Sequence, residues 1–399
     1  MKVLVVHNHY QRPGGEDAVV ASEARLLAEH GHAVIEYRRI NDELQTSSRY
    51  RIGTAGVGTV WSTASYRALL DLLAREKPDV THFHNTFPLI SPSAYYACAE
   101  AGVPVVQTLH NYRLLCPTAS LYRGGSVCED CLHKRVKWPG IVHACYRGSR
   151  LATAAVAAMV AVHHVLGTWE QKVTQYIALS EFSRRKFIEG GLPAERIVVK
   201  PNFVHPDLKP KNGPGSHALY VGRLSEEKGL RVLLAAWGRL RKSIPLRIAG
   251  DGPMREEMAA EIKVKKLQSV ELLGHASTSE IGTLMHGARF LVVPSIWYEG
   301  FPVTIAEAFA SGLSVVASRL GSMAEIITDG ENGLHFAPGD AAELAERVAW
   351  AWNHPEEMET MGRAARAEYE AKYAAERNYQ MLLQIYETVI SRSRGNEIM

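Results

Sequence analysis

The segment from Phe290 to Gly312 constrains the fold of this chain more than any other. It opens with Phe290-Leu291-Val292-Val293-Pro294 and runs through Glu299-Gly300-Phe301-Pro302-Val303 to Glu307 and Gly312. A short unbroken apolar run reads as a strand buried on both faces, as in a parallel sheet covered by helices. Pro302 suits the first turn of a helix, where its missing N–H costs nothing. Gly312 suits the far end, where a left-handed residue is favoured. The segment therefore reads as strand, short loop and helix, with Glu299 in the loop and Glu307 about two turns into the helix. A helix N-terminus at the carboxyl edge of a parallel sheet is a ready anion site. Two carboxylates beside it would repel an anion unless they face hydroxyl groups. A ligand with phosphates and vicinal hydroxyls, such as a sugar nucleotide, satisfies both demands. The plainer alternative is that Glu299 caps the helix and Glu307 is solvated.

The same alternation runs through the chain twice. Lys2 to Val6 reads as a strand, and the loop from His7 ends in the pair Gly14-Gly15. A helix follows with Ala18, Val19, Ala21, Ala24, Leu27 and Ala28 at helical spacing, then a strand from His32 to Tyr37. The glycines do not form G-x-G-x-x-G, which weighs against a dinucleotide-binding dehydrogenase. The pair either lets a ligand approach backbone N–H groups at the helix start or makes a tight turn. Arg51 to Val60 is Gly-rich and reads as a loop. Strands at Val80–Asn85 and Val103–Leu109 deliver His82, His84 and His110 to one sheet edge, the edge where α/β sheets bind ligands. His82 or His84 alone would more often be a packing histidine; His110 lies immediately past a strand end.

Strands at Tyr176–Ser180 and Ile197–Val199 close the first half, and the turn-rich stretch Pro201 to Gly215 marks a domain boundary. The second half restarts with strands at Ala218–Gly222, Leu246–Ala249, Val270–Gly274 and Ser314–Ser318 around the opening segment. From Ala341 to about Arg392 it is helical. A chain of 399 residues exceeds one ordinary core. Three segments are expected: an N-terminal domain at 1–205, a second domain at 206–375, and a helix at 376–399 packing back toward the first.

Hydrophobic content of 46% and charged content of 22% fit a soluble globular protein. A net charge of +3 is too small to argue for nucleic acid. The basic clusters His133 to Lys137 and Arg184-Arg185-Lys186 read first as solvated faces. They also motivate a peripheral contact with the inner membrane surface. The chain opens directly on a strand, so no secretion is implied, and with few cysteines a cytoplasmic location is expected. The longest apolar stretch, Leu151 to Val162, is too short to span a bilayer and reads as a buried helix.

Four of the cysteines fall in one segment: Cys116, the pair Cys128-Glu129-Asp130-Cys131, and Cys145. A C-x-x-C pair is a common metal knuckle. Cys116 and Cys145 would complete a four-thiolate structural zinc site, with His133 and His143 as substitutes. Redox or simply buried cysteines are the alternative. The segment interrupts the α/β rhythm as an insertion.

Arg223 and Lys228 lie in a strand-to-helix loop, so they belong at the same sheet edge as Glu299, the N–H groups of residues 301–304, and Glu307. Two cations and a helix N-terminus can hold a pyrophosphate and neutralise charge as it leaves. The chain has no Asp-x-Asp tripeptide, so a metal-dependent clasp of that type is not suggested.

Residues Gly222 to Gly229, Ala249 to Pro253, Pro294-Ser295, Glu299 to Pro302 and Glu307-Ala308 resemble the family 4 (group 1) glycosyltransferases of the GT-B fold. Glu299 and Glu307 match that family's Glu-x7-Glu motif. The resemblance implies an α/β chain of two Rossmann-like domains facing each other across a cleft. It implies retaining transfer of a sugar from a nucleotide-diphosphate donor, without a catalytic cofactor or metal. The acceptor would be a glycan or lipid-linked glycan. By the same resemblance Arg223 and Lys228 bind the donor pyrophosphate, Glu307 holds the ribose hydroxyls and Glu299 the donor sugar. Gly300, Phe301, Pro302 and Val303 carry the helix start, Gly250 borders the base, His110 lies by the reacting sugar, and Gly15 lies near the phosphate and acceptor. The chain departs from the family pattern at Asn111, where His-Asp is frequent, and at Ser322, where a second Gly is frequent. The cysteine insertion follows His110 and is expected to shape the acceptor side. Competing readings are a nucleotide-sugar epimerase or phosphorylase on this fold, or a non-catalytic zinc-containing interaction protein.

Overall fold

The computed structural model describes residues 1–11, 14–44 and 58–396. Arg12 and Pro13, and residues 51–57 of the expected Gly-rich loop, lie outside these; Gly58 to Val60 are helical. The chain forms two compact units. The first comprises Met1–Leu121, Cys128–Pro201 and the C-terminal helix from Asn378; the second comprises Tyr122–Val127 and Asn202–Arg377.

The first unit holds a sheet of β1 (Lys2–His9), β2 (Ala33–Ile40), β3 (Val80–Asn85), β4 (Val105–Leu109), β7 (Gln175–Ala178) and β8 (Ile197–Val199). The two short strands between, β5 (Tyr122–Arg123) and β6 (Ser126–Val127), pair as an antiparallel hairpin within the cysteine insertion. The order is β2-β1-β3-β4-β7-β8, every pair parallel. Parallel strands need crossovers, and the crossing helices cover both faces of the sheet. Accordingly β3, β4 and β7 are buried along their whole length, whereas the edge strand β2 has exposed positions.

The helix Arg150–Val165 corrects one expectation. It is not buried all round: Val156, Ala157, Met159 and Val160 face the core, while Leu151, Val162 and Val165 are exposed. The sequence periodicity could not separate these cases, because both faces are apolar.

Beneath the first sheet lies a buried ion pair. Lys200 Nζ is 2.9 Å from Glu23 Oε2, with each residue 2% exposed, and donates at 3.0 Å to Asn378 Oδ1 of the C-terminal helix. Burial alone would push the Glu23 carboxyl up. The Lys200 ammonium and the His82 ring outweigh it, and the group sits well below the ordinary carboxylate range. Tyr386 of the same helix is bonded through its hydroxyl to His82 Nδ1 at 2.7 Å, which fastens the chain end to β3.

The second unit repeats the architecture with β9 (His217–Val221), β10 (Leu246–Ala249), β11 (Val270–Gly274), β12 (Ala288–Val293), β13 (Val315–Ser318) and β14 (Gly333–Phe336). All pairs are parallel, in the order β11-β10-β9-β12-β13-β14. Leu219, Phe290, Leu291 and Val292 are fully buried. The helix of the opening segment spans Val303–Ala310, so Pro302 is its extended cap residue (ψ 94°) and not a member of the first turn. The correction is one position, and the physical reason holds, since a cap residue also donates no bond within the helix. At the other end Gly312 has φ +64°, with Gly312 N–H bonding Phe309 O and Leu313 N–H bonding Ala308 O. This is the Schellman pattern that Gly312 predicts.

Removing one partner of the Lys200–Glu23 pair leaves a buried, uncompensated charge. Lys200→Met is expected to cost about 3–5 kcal/mol of unfolding free energy. Pairing it with Glu23→Gln is expected to restore most of that loss. Urea denaturation of both variants checks the difference.

Candidate active site

In the second unit the strand order reverses between β9 and β12. Crossovers from these neighbours leave in opposite directions, so a crevice opens at their carboxyl ends. The loops 222–229 and 294–302 flank it. Backbone contacts hold the edge loops together. Gly229 (φ +71°) lies where a Cβ would stand 1.8 Å from Pro294 O, and at Gly250 (φ +146°) a Cβ would stand 1.9 Å from Gly222 O. No side chain fits at either position, so the loops after β9, β10 and β12 form one rigid rim.

On that rim Lys228 Nζ is 2.7 Å from Glu299 Oε1 and 5.4 Å from the centre of the Trp297 ring. Ser295 Oγ donates to the same carboxylate oxygen at 2.6 Å. Burial pushes the Glu299 carboxyl up, but the Lys228 ammonium and these hydrogen bonds prevail and hold it below its ordinary value. Glu299 is 5% exposed, so it is a fixed, ionised acceptor and not a solvated cap. Ser322 Oγ donates at 2.8 Å to the Glu299 carbonyl. The serine that departs from the family pattern thus holds the backbone of Glu299.

Arg223 is exposed, and among the described residues no carboxylate pairs with it. Gly300 and Val303 are half-buried, whereas Phe301 and Pro302 are buried, so the helix start is anchored by its apolar members. Glu307 differs from Glu299. Its surface is only partly exposed, and no cation or hydrogen-bond donor meets its carboxylate among the described residues. Burial alone pushes its carboxyl up to about 7.

In the first unit the order reverses between β1 and β3, and the residues at that edge are mostly histidines and acids. His110 Nε2 is 2.9 Å from His84 Nδ1. His84 Nε2 in turn lies 3.5 Å from Glu23 Oε1, the oxygen that His82 Nδ1 approaches to 3.1 Å. Burial lowers the His84 pKa well below the ordinary imidazole range and that of His110 to about 3, so both rings are neutral near pH 7. The ionised Glu23 favours a proton on His84 Nε2. That leaves His84 Nδ1 as acceptor and His110 Nε2 as donor, so Glu23 sets the tautomer of His110 through His84.

Nearby, His7 Nε2 and His9 Nδ1 lie 2.9 and 3.2 Å from Asp17 Oδ1, and Gly14 N–H donates to Asp17 Oδ2 at 2.9 Å. Glu16 Oε2 accepts from Tyr10 at 3.0 Å and Asn111 at 3.4 Å, while Oε1 is buried without a partner. Burial pushes Glu16 up to about 7. A Cβ at Gly14 or Gly15 would meet nothing within 4 Å, so open space, not turn sterics, accompanies these glycines.

Among the described residues two groups bring three metal-ligating atoms within 4.8 Å of one another: His7, His9, Asp17 and Glu23, His82, His84. In the second, Lys200 already neutralises the carboxylate. The cysteines expected to share a zinc are not such a group. Cys116 and Cys131 are buried, Cys128 and Cys145 half-buried, and no disulfide joins any of them. His133 and His143 are exposed.

A family profile described as "Glycosyl transferases group 1" matches residues 206–368, and one described as "Glycosyltransferase Family 4" matches 13–208. The chain belongs to the family 4, group 1 glycosyltransferases. It is 36% identical over 162 residues to glycogen synthase of Mycobacterium tuberculosis, which covers 40% of this chain and 39% of that protein. It is 30% identical over 237 residues to phosphatidyl-myo-inositol mannosyltransferase of Mycobacterium leprae, covering 56% of this chain and 62% of that one. The match thus spans about two-fifths of the first relative's length. The fold is that of HepE of Anabaena in complex with UDP (TM-score 0.71, 18% identity, 97% of this chain and 100% of that one). Sucrose-phosphate synthase of Thermosynechococcus elongatus is similar too (TM-score 0.73, 16% identity, 98% and 99%). These likenesses give this glycosyltransferase the GT-B fold of two Rossmann-like units.

Sequence reasoning left out Glu16, Asp17, Glu23 and Lys200. Lys200 and Glu23 are 177 positions apart, so no local spacing signals the pair. The one available hint was the acids Glu16, Asp17 and Glu23 on a helix otherwise read by its apolar spacing.

The raised Glu307 carboxyl has a measurable consequence. The unfolded chain gives up this proton near 4.5 and the folded chain only near 7, so wild-type stability falls as pH rises between those values. Glu307→Gln, which keeps the neutral shape, is expected to melt higher than wild type at pH 8 and alike at pH 4 or below. Thermal melts across that range check the sign.

Proposed function

We propose that this glycosyltransferase moves a sugar, with retention, from a nucleotide-diphosphate sugar to a glycan or lipid-linked glycan. The supporting observation is the set Arg223, Lys228, Glu299 and Glu307 on the two loops and the helix that flank the strand-order reversal of the second sheet. The Arg223 guanidinium and the Lys228 ammonium accept the donor pyrophosphate and, with the N–H groups that open the helix at Val303, offset the charge that builds as the nucleotide leaves. Lys228 exchanges part of its contact with Glu299 for the phosphate. Glu299 then turns its acceptor capacity to sugar hydroxyls, and Glu307 takes the ribose hydroxyls. Gly250, where the loops after β9 and β10 pack too closely for a side chain, borders the base with its backbone. His110, with its tautomer set by Glu23 and His84, attends the reacting sugar, and Gly15 the phosphate and acceptor side. The relative named phosphatidyl-myo-inositol mannosyltransferase supports a lipid-linked acceptor as one option.

A hydroxyl donor bonds an ionised carboxylate better than a protonated one. Donor binding is therefore expected to release a proton from Glu307 near pH 7, and affinity to rise with pH through about 7. Calorimetry with a panel of UDP- and GDP-sugars, in buffers of different ionisation enthalpy, measures that proton. Glu307→Ala is expected to weaken binding of the preferred donor by about tenfold to a hundredfold, to lose the proton release, and to abolish transfer without unfolding. Normal transfer by that variant would remove the role of Glu307. Epimerised or phosphorolysed donor, formed without acceptor, would move the chain to a different reaction on this fold.

A further inference from the structure

Of the large apolar residues exposed among the described residues, most lie between Val136 and Leu166 of the first unit. The helix Arg150–Val165 carries Leu151, Ala155, Ala158, Val162 and Val165 on one face at helical spacing, with Leu151 86% and Val165 85% exposed. A water-facing helical stripe is ordinarily polar, and this one has no polar residue. The short helix Trp138–Val142 packs beside it and leaves Trp138 and Val142 exposed. Arg135 and Val136 line a groove of about 580 Å³ together with Ala161, His164 and Val165, which joins the loop before Trp138 to the C-terminal end of the stripe.

The charge around this face is one-sided. Between Leu132 and Lys172 the chain has Lys134, Arg135, Lys137, Arg147, Arg150 and Lys172 against the single acid Glu170. Lys137 is buried, but Lys134, Arg135, Arg147 and Arg150 are exposed. Glu170 is itself 3.4 Å from His164. No described helix is long and apolar enough to cross a membrane.

We infer that this face docks on an anionic bilayer surface, with the stripe Leu151–Val165 and Trp138 in the headgroup boundary and the flanking cations on lipid phosphates. An apolar stripe rimmed by Lys and Arg, with an aromatic at its edge, is the composition that binds in a membrane interface. A second copy of this chain fits less well, because a two-fold contact would bring the same cations against one another. An acidic polymer would use the cations and leave the stripe in water. The inference is independent of the donor chemistry.

Sedimentation of the full chain with vesicles tests it. Binding is expected to vesicles of equal parts phosphatidylcholine and phosphatidylglycerol, to be weaker to pure phosphatidylcholine, and to fall as salt rises. Arg135→Ala with Arg150→Ala is expected to weaken partition by roughly 25-fold, at about fivefold per cation. Val162→Asp with Val165→Asp is expected to abolish it while nucleotide binding stays unchanged. Val162→Ser with Val165→Ser reads the same stripe if the aspartates lower the melting temperature. Equal binding to neutral and anionic vesicles, or full binding by both stripe variants, overturns the inference. So does a dimer in solution that Val165→Asp dissociates, which would assign the stripe to a second copy.

Discussion

The reversal of strand order between β9 and β12 governs the second unit. In a parallel sheet each strand must be followed by a crossover, and where the order turns, the crossovers part. The loops at that point have no helix above them and are free to carry polar groups. Arg223, Lys228 and Glu299 come from those loops, and Glu307 from the helix that follows. The rim stays rigid because Gly229 and Gly250 let carbonyls of neighbouring loops approach closer than any side chain permits. Site precision here is a backbone property first and a side-chain property second.

Two acids of similar sequence context are driven apart by their surroundings. Glu299 meets an ammonium and a serine hydroxyl and stays ionised. Glu307 meets neither, and burial raises it to about 7. One is held ionised by its partners, and the other is held by burial near the point where it changes charge at neutral pH. The first unit uses the same physics differently. There Lys200 and His82 overcome the desolvation of Glu23, and the fixed negative charge orders the protons on two neutral imidazoles that end at His110.

Much of the fold was legible because parallel sheets leave a strong signal. The runs Val3 to Val6 and Phe290 to Val293 are apolar without alternation, and Gly312 closes its helix as its position implies. Two readings moved under tertiary structure. Pro302 became a cap residue, since Val303 begins the helix. Leu151–Val165 turned out half-exposed, because an all-apolar helix carries no periodic mark of which face is covered. The candidate residues Arg223, Lys228 and Glu299 could be grouped from the sequence because they lie in short loops between clear elements, and Glu307 because it follows in the next helix. The pairing of Glu23 with His82, His84 and Lys200 was not legible, because these partners lie far from it in sequence.

The sequence by itself determined two α/β units, the family's loop motifs and the carboxylates that lie in and after them. Periodicity, glycine placement and loop length are local, and local physics suffices for them. Only the tertiary structure decided which carboxylate is paired, which histidine faces which, and which apolar helix face meets water. Those outcomes depend on burial and on charges distant in sequence, and desolvation together with Coulomb attraction acts between groups that folding alone brings together.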